Sequence, residues 1–294
     1  MASVRAGQPP GEAFRALARK TLTATVKAIK AAGESGGVHD ARKRLKFMRS
    51  LLRFIRHSLG REDFEIADNR LRTAADLLAG ARRAEALQEA VAKLQRDQDS
   101  ARPELVELAA IAAVTHGEHA APAALQDAAA QALQSVEAVR GEVARWQLAK
   151  RDTGLFLKGL GDAYGRARRK LLAGLSSGEI TVLHEARKSV IHHLHQLEML
   201  KPLWPRVIRP WTAGLLKLRE TLGDLNDLDE LEALAGRQAA SFTSNAARDA
   251  ALQTIAARRK ALVERVRGQA EHLFAEKPKT LARRIDAMWQ AMIE

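Results

Sequence analysis

An all-α fold is predicted by three features of the sequence. Ala, Leu, Arg, Glu and Gln dominate, alternating β-branched runs are almost absent, and apolar residues recur at helical spacing from Glu12 onward. With 294 residues, 46% of them hydrophobic, the chain can close a large core. Helix-breaking stretches fall at Gly33 to Gly37, Gly60, Gln98 to Pro103, His116 to Pro122, Lys150 to Gly154, Ser176 to Gly178 and Pro202 to Pro210. They leave roughly ten to twelve helices of lengths ordinary for bundles.

An internal repeat orders these helices. Val38-His39-Asp40-Ala41-Arg42-Lys43 returns as Leu183-His184-Glu185-Ala186-Arg187-Lys188, each copy opening a helix after a Gly/Ser-rich turn. Each follows a helix that carries basic residues, Arg19 and Lys20 in one case and Arg168, Arg169 and Lys170 in the other. A second marker follows in the same order, Leu78 to Leu87 against Leu222 to Leu231. A repeat this long exceeds solenoid periods, so the expectation is a duplicated architecture. One domain, 1–294, is expected to consist of two pseudo-symmetric four-helix-type bundles, 11–147 and 152–294, meeting at a central basic groove.

Charge narrows the partner class. Lys and Arg outnumber Asp and Glu by 48 to 35, a formal net charge of +13 that favours polyanions. Aromatics are 4% of the chain, so the stacking platforms of single-strand nucleic-acid binders are poorly supplied. Cysteine is absent, which rules out disulfides, thiolate metal sites and cysteine nucleophiles. The first ten residues lack the apolar stretch of a secretory signal, and no apolar run reaches membrane-spanning length. A cytoplasmic protein without membrane association is expected.

The helix from His39 to Leu59 concentrates the charge. At about 100° per residue, His39, Arg42, Lys43, Lys46, Arg49, Arg53, Arg56 and His57 fall within an arc of roughly 140°. Leu45, Phe47, Met48, Leu51, Leu52 and Ile55 occupy the other side, and the cationic side carries almost no counter-charge of its own. Like charges at this spacing destabilise a helix, so an external anion is expected to offset them. In the second copy His184, Arg187, Lys188 and His195 share the matching face, with Ile191 where Lys46 stands in the first. Its contribution is expected to be weaker. His193 falls on the apolar side and is expected to be buried. Arg supplies forked donors to paired phosphate oxygens, Lys a compact charge and His a directed N–H, a set suited to a line of phosphates.

At these residues the chain resembles the conserved histidine α-helical domain family, CHAD. His39-x-x-Arg42-Lys43-x-x-Lys46-x-x-Arg49 is similar to its first basic motif, Leu183 to Lys188 with Leu203-Trp204-Pro205 to its second, and Leu222 to Leu228 to its downstream helix junction. The resemblance implies two four-helix bundles around a basic channel that binds inorganic polyphosphate without catalysis. It also implies association with polyphosphate granules and their proteins. The site is then expected to comprise His39, Arg42, Lys43, Lys46, Arg49, Arg53, His184, Arg187, Lys188 and His195, with Arg82, Lys217 and Arg219 as secondary members. No metal or cofactor is called for. Three rivals remain: a nucleic-acid-binding helical protein, which the charge suits equally, a metal-dependent phosphohydrolase drawing on His39-Asp40, His192, His193 and His195, and a scaffold whose cationic groove is the interface for an acidic protein.

Overall fold

A computed structural model describes residues 9–32, 37–78, 83–96, 102–114, 122–148 and 154–293. Among them the chain forms α-helices and no strand, so the fold is all-α. The helices are α1 (Pro10–Lys30), α2 (Gly37–Phe54), α3 (Arg56–Leu59), α4 (Arg61–Leu77), α5 (Arg83–Arg96), α6 (Pro103–Val114), α7 (Pro122–Glu142), α8 (Gly154–Ser177), α9 (Ile180–Leu200), α10 (Pro205–Arg237), α11 (Asn245–Leu273) and α12 (Pro278–Ile293). Pro10, Pro103, Pro122, Pro205 and Pro278 each open a helix, where a missing N–H costs nothing and the fixed φ already suits the helix. Ser244 caps α11, its hydroxyl accepting from the Ala247 N–H at 3.1 Å. Gly60 and Gly178 take positive φ at two of the expected breaks.

Two boundaries depart from the sequence reading. The helix expected to run to Leu59 is interrupted at Ile55, whose N–H is divided between the Leu51 and Leu52 carbonyls at 3.4 and 3.2 Å. The cause lies across the core in α8. At Gly159 an added Cβ would stand 2.2 Å from the Phe54 carbonyl oxygen and 2.6 Å from that of Arg53, so the two backbones touch and α2 is bent there. The second departure is Pro210, which does not end a helix. Helix α10 runs through it because the carbonyl it leaves unpaired, that of Arg206, belongs to an exposed residue that water can serve.

Packing falls into two groups with one exchange. Helices α1, α2, α4 and α7 pack together, as do α8, α9, α10 and α11, with α12 laid on α8. Helix α2 lies against α9 and α8 and so joins the groups. Helices α5 and α6 pair with each other and dock on α10 and α11, on the far side of the expected boundary near Trp146. Lys93 Nζ to Asp224 at 3.1 Å, Arg102 to the Thr254 hydroxyl at 3.1 Å and Thr243 to Glu107 at 2.6 Å tie that junction. An aromatic chain crosses the core from Trp146 through Phe14 and Phe156 to Trp289, with Phe54 stacked on Phe156 at 4.6 Å.

Gly159→Ala forces a methyl group into two carbonyls. It is expected to destabilise the protein by about 1–3 kcal/mol, seen as a lower urea midpoint with a similar slope. An unchanged midpoint would contradict this close approach of α2 and α8.

Candidate functional site

The site is built where the two helices that carry the repeated motif meet. Ser50 of α2 donates its single hydroxyl proton to the Lys46 carbonyl at 2.8 Å. Its oxygen lies 2.8 Å from His192 Nδ1 and 2.9 Å from His195 Nδ1, both on α9. With the proton used, the two lone pairs accept from both rings, which makes each imidazole a neutral Nδ1–H tautomer. Gln196 Nε2 also donates to the Ser50 carbonyl at 3.4 Å, and Phe47 meets the His195 ring edge-on at 5.2 Å. Burial pushes His195 down to about 3, with Arg219, Lys43 and Lys46 adding to it. His192 is pushed well below the ordinary value, by burial first and then by Arg53.

The separation of 145 residues across the Ser50–His195 bond equals the offset from His39 to His184. Under that offset the pair Phe47–His195 becomes His192–Ser50, which is also a contact. Equivalent positions of the repeat therefore touch one another.

On α2, His39, Lys43 and Lys46 are exposed, while Arg42, Arg49 and Arg53 are half-buried. Arg42 donates to the Ala75 carbonyl of α4 at 3.1 Å. Arg49 and Arg53 both fork onto Asp68 of α4, with contacts of 2.9 and 3.2 Å from the first and 2.7 and 2.9 Å from the second. These bonds hold the Asp68 carboxyl below the usual carboxylate range although burial opposes it. The helix does lack counter-charge of its own, but its neighbour supplies one carboxylate for two guanidinium groups. Arg44, on the other side, pairs with Asp40 at 2.8 Å.

The α9 stripe is more compensated. Lys188 pairs with Glu185, which Lys170 also reaches at 3.1 Å, and Glu185 is held below its ordinary value by that pairing. Arg187 is half-buried over Gly223 of α10, where a Cβ would stand 3.2 Å from its Nη2, and Asp227 and Asp224 lie in its field. The His184 ring is lowered by burial, with Asp229 and Glu230 opposing, and its Nε2 is buried without a hydrogen-bond partner. On α10, Arg219 acts on His195, Arg187 and Glu198, and Lys217 lies exposed nearby in sequence. Neither Lys43 nor Arg219 makes an ion pair with a carboxylate among the described residues. Lys43 and Lys46 from α2 and Arg219 from α10 thus converge electrostatically on one buried imidazole. Arg82 lies outside the described residues.

The sequence profile described as the CHAD domain matches residues 12–236. The chain belongs to the CHAD domain family. Among solved structures it is similar to PptA from Streptomyces chartreusis, with a TM-score of 0.60 at 17% identity, covering 91% of this chain and 100% of that one. At that identity the likeness bears on the fold. No functionally curated protein matches the sequence. Both His-x-x-Arg-Lys motifs lie inside the matched CHAD segment, and α11 and α12 follow it.

Within this CHAD fold, three participants went unread in the sequence. Ser50 falls inside the α2 cationic arc, between the phases of His39 and Lys43, and a small neutral residue at that phase was the available signal. Glu198 continues the α9 stripe one heptad beyond Ile191. Its carboxyl is raised by burial against the pull of Lys201, Arg219 and Lys43, and its Oε2 is buried without a partner. Asp68 meets the α2 arginines through tertiary packing alone. Among the described residues no group of three or more His, Asp or Glu is placed to hold a metal ion, and no helix is long and apolar enough to cross a membrane.

His193 is fully buried, as its phase predicted, against Tyr164 at 5.2 Å and Trp211 at 5.8 Å, and burial pushes it to about 3. A histidine kept neutral in the fold but free to bind a proton when unfolded favours the unfolded chain below about pH 6.5. Stability is therefore expected to fall as pH drops from about 6.5 toward 3. His193→Phe should flatten that decline by up to about 1.4 kcal/mol per pH unit, measured as urea midpoints from pH 7 to 4. An identical slope in the variant would contradict the neutral assignment.

Proposed function

We propose that this CHAD protein binds inorganic polyphosphate without catalysis, in a basic groove between two related bundles, 11–147 and 152–294. The observation that carries this reading is the meeting of the two motif helices at Ser50, 2.8 and 2.9 Å from His192 and His195, where the charges of Lys43, Lys46 and Arg219 all act on the buried His195. Each internal phosphate of the polymer carries about one negative charge, so a line of cations at helical spacing offsets the polymer along its length. His39, Arg42, Arg49 and Arg53 extend that line along α2. Arg187, Lys188, His184 and Lys217 flank it from the second bundle.

His195 has a separate part in this reading. Its Nδ1 proton is committed to Ser50, so it orders the helix crossing beneath the cations and does not donate to phosphate. The contacts exchanged under the repeat offset support the pairing of two related halves. Intracellular polyphosphate granules and their proteins are the setting this chemistry suits. Sequence readout of nucleic acid is not favoured, because the exposed face offers point charges and no aromatic platform.

Charge reversal at Lys43 and Lys46 together (K43E/K46E) is expected to weaken polyphosphate binding roughly a hundredfold or more, measured by calorimetric titration. Both side chains are exposed, so the unfolding midpoint should be retained. At matched salt, polyphosphate should also displace duplex DNA from the wild type. Unchanged polyphosphate affinity in a folded double variant overturns the assignment.

A further inference from the structure

Beyond the groove, the C-terminal end of the α2 stripe opens on a small pocket between α2, α3, α8 and α9. Arg53, Arg56, Gly159, Asp162, Arg166 and His192 line it. Its volume is about 20 Å³, more than the roughly 10–15 Å³ that one ordered water needs and far too little for a run of polymer. Gly159 makes the pocket floor, held there by the backbone contact with Phe54.

The charge around it is unbalanced in a specific way. Arg49 and Arg53 share Asp68, Arg56 lies over the Phe64 ring at 5.3 Å, and Arg166 is close enough to Arg53 to oppose its charge. Asp162 accepts from His57 Nε2 at 2.7 Å. Arg56 and Arg166 make no ion pair with a carboxylate among the described residues. Three guanidinium groups (Arg53, Arg56 and Arg166) and one carboxylate (Asp162) line the pocket, and adding Arg49 with its partner Asp68 just behind Arg53 leaves the same two formal positive charges. His192 cannot add a donor, because its Nδ1 proton goes to Ser50.

We propose that this pocket takes the terminal phosphate of a polyphosphate chain, whose body lies in the groove over Lys46 and Lys43. A terminal phosphate carries about two negative charges near neutral pH where an internal one carries about one, and it alone presents three free oxygens to a narrow cavity. The excess charge matches the end of the chain and not its middle, and the volume admits one oxygen of the terminal group while the other two stay at the cationic rim. Arg53 links the two regions, since it is the last cation of the stripe and a wall of the pocket. The inference rests on the groove reading above and adds to it a preference for chain ends.

The test uses the full chain and two polyphosphates of matched length, one with free ends and one with both terminal phosphates converted to phosphoramidates. Wild type is expected to bind the free-ended polymer about tenfold more tightly, a loss of one charge-assisted contact on blocking. The R56Q and R166Q variants should bind both polymers alike, at the affinity wild type shows for the blocked one. Orthophosphate should compete with free-ended polymer only down to the blocked-end affinity, because it fills the pocket and leaves the groove. Equal affinity of wild type for both polymers overturns the end site while leaving the groove reading intact. Failure of wild type to bind either polymer removes both readings. Arg56 is exposed and Arg166 half-buried at the rim, and the R56Q variant keeps the test decisive should R166Q fold poorly.

Discussion

One hydroxyl group organises the centre of this molecule. Ser50 sits where α2 meets α9, buried within the cationic arc of α2. Its donation to Lys46 and its acceptance from His192 and His195 leave no polar atom of the hydroxyl unsatisfied. Because both imidazoles are held neutral, His195 buried and His192 half-buried, they add no positive charge to that of Lys43, Lys46 and Arg53. A lysine at this position would have separated the helices, and a leucine would have stranded two imidazole N–H groups in the core.

From that crossing the charge spreads unevenly. On the α2 side, Asp68 fixes the Arg49 and Arg53 forks in place and so removes part of the ordering cost that a bound anion would otherwise meet. The α9 side faces Glu185, Asp224, Asp227, Asp229 and Glu230, with Glu198 inside the stripe itself. The two copies of the motif differ in their electrostatic surroundings. Ile191, where the first copy has Lys46, is one part of that divergence, and the acidic run of α10 is the larger part.

Much of this was legible in the sequence, and the limits have physical causes. Helical periodicity with Gly and Pro punctuation identified an all-α chain, and the repeated His-x-x-Arg-Lys motif picked out the helices that meet at the centre. The phase of His193 placed it in the core. What escaped depends on distance in sequence: the Arg49 and Arg53 partner is contributed by α4, the bend at Ile55 is imposed by Gly159 of α8, and the continuation of α10 through Pro210 depends on the exposure of Arg206. Helical phase tells which side a residue faces. It does not tell what lies opposite, so the stripe read from α2 alone looked free of counter-ions when one neighbouring carboxylate was already engaged.

The docking of α5 and α6 onto α10 and α11 bears on how the chain reaches this state. Leu87, Val91 and Leu94 of α5 and Leu105, Leu108 and Ala112 of α6 are buried in the finished molecule, yet the surface that covers them includes helices more than a hundred residues further along. At ordinary rates of synthesis the hairpin waits on the order of ten seconds for α11 to emerge from the ribosome. During that interval an oily pair of helices is translated but homeless, and the two groups of helices cannot complete their packing independently of one another.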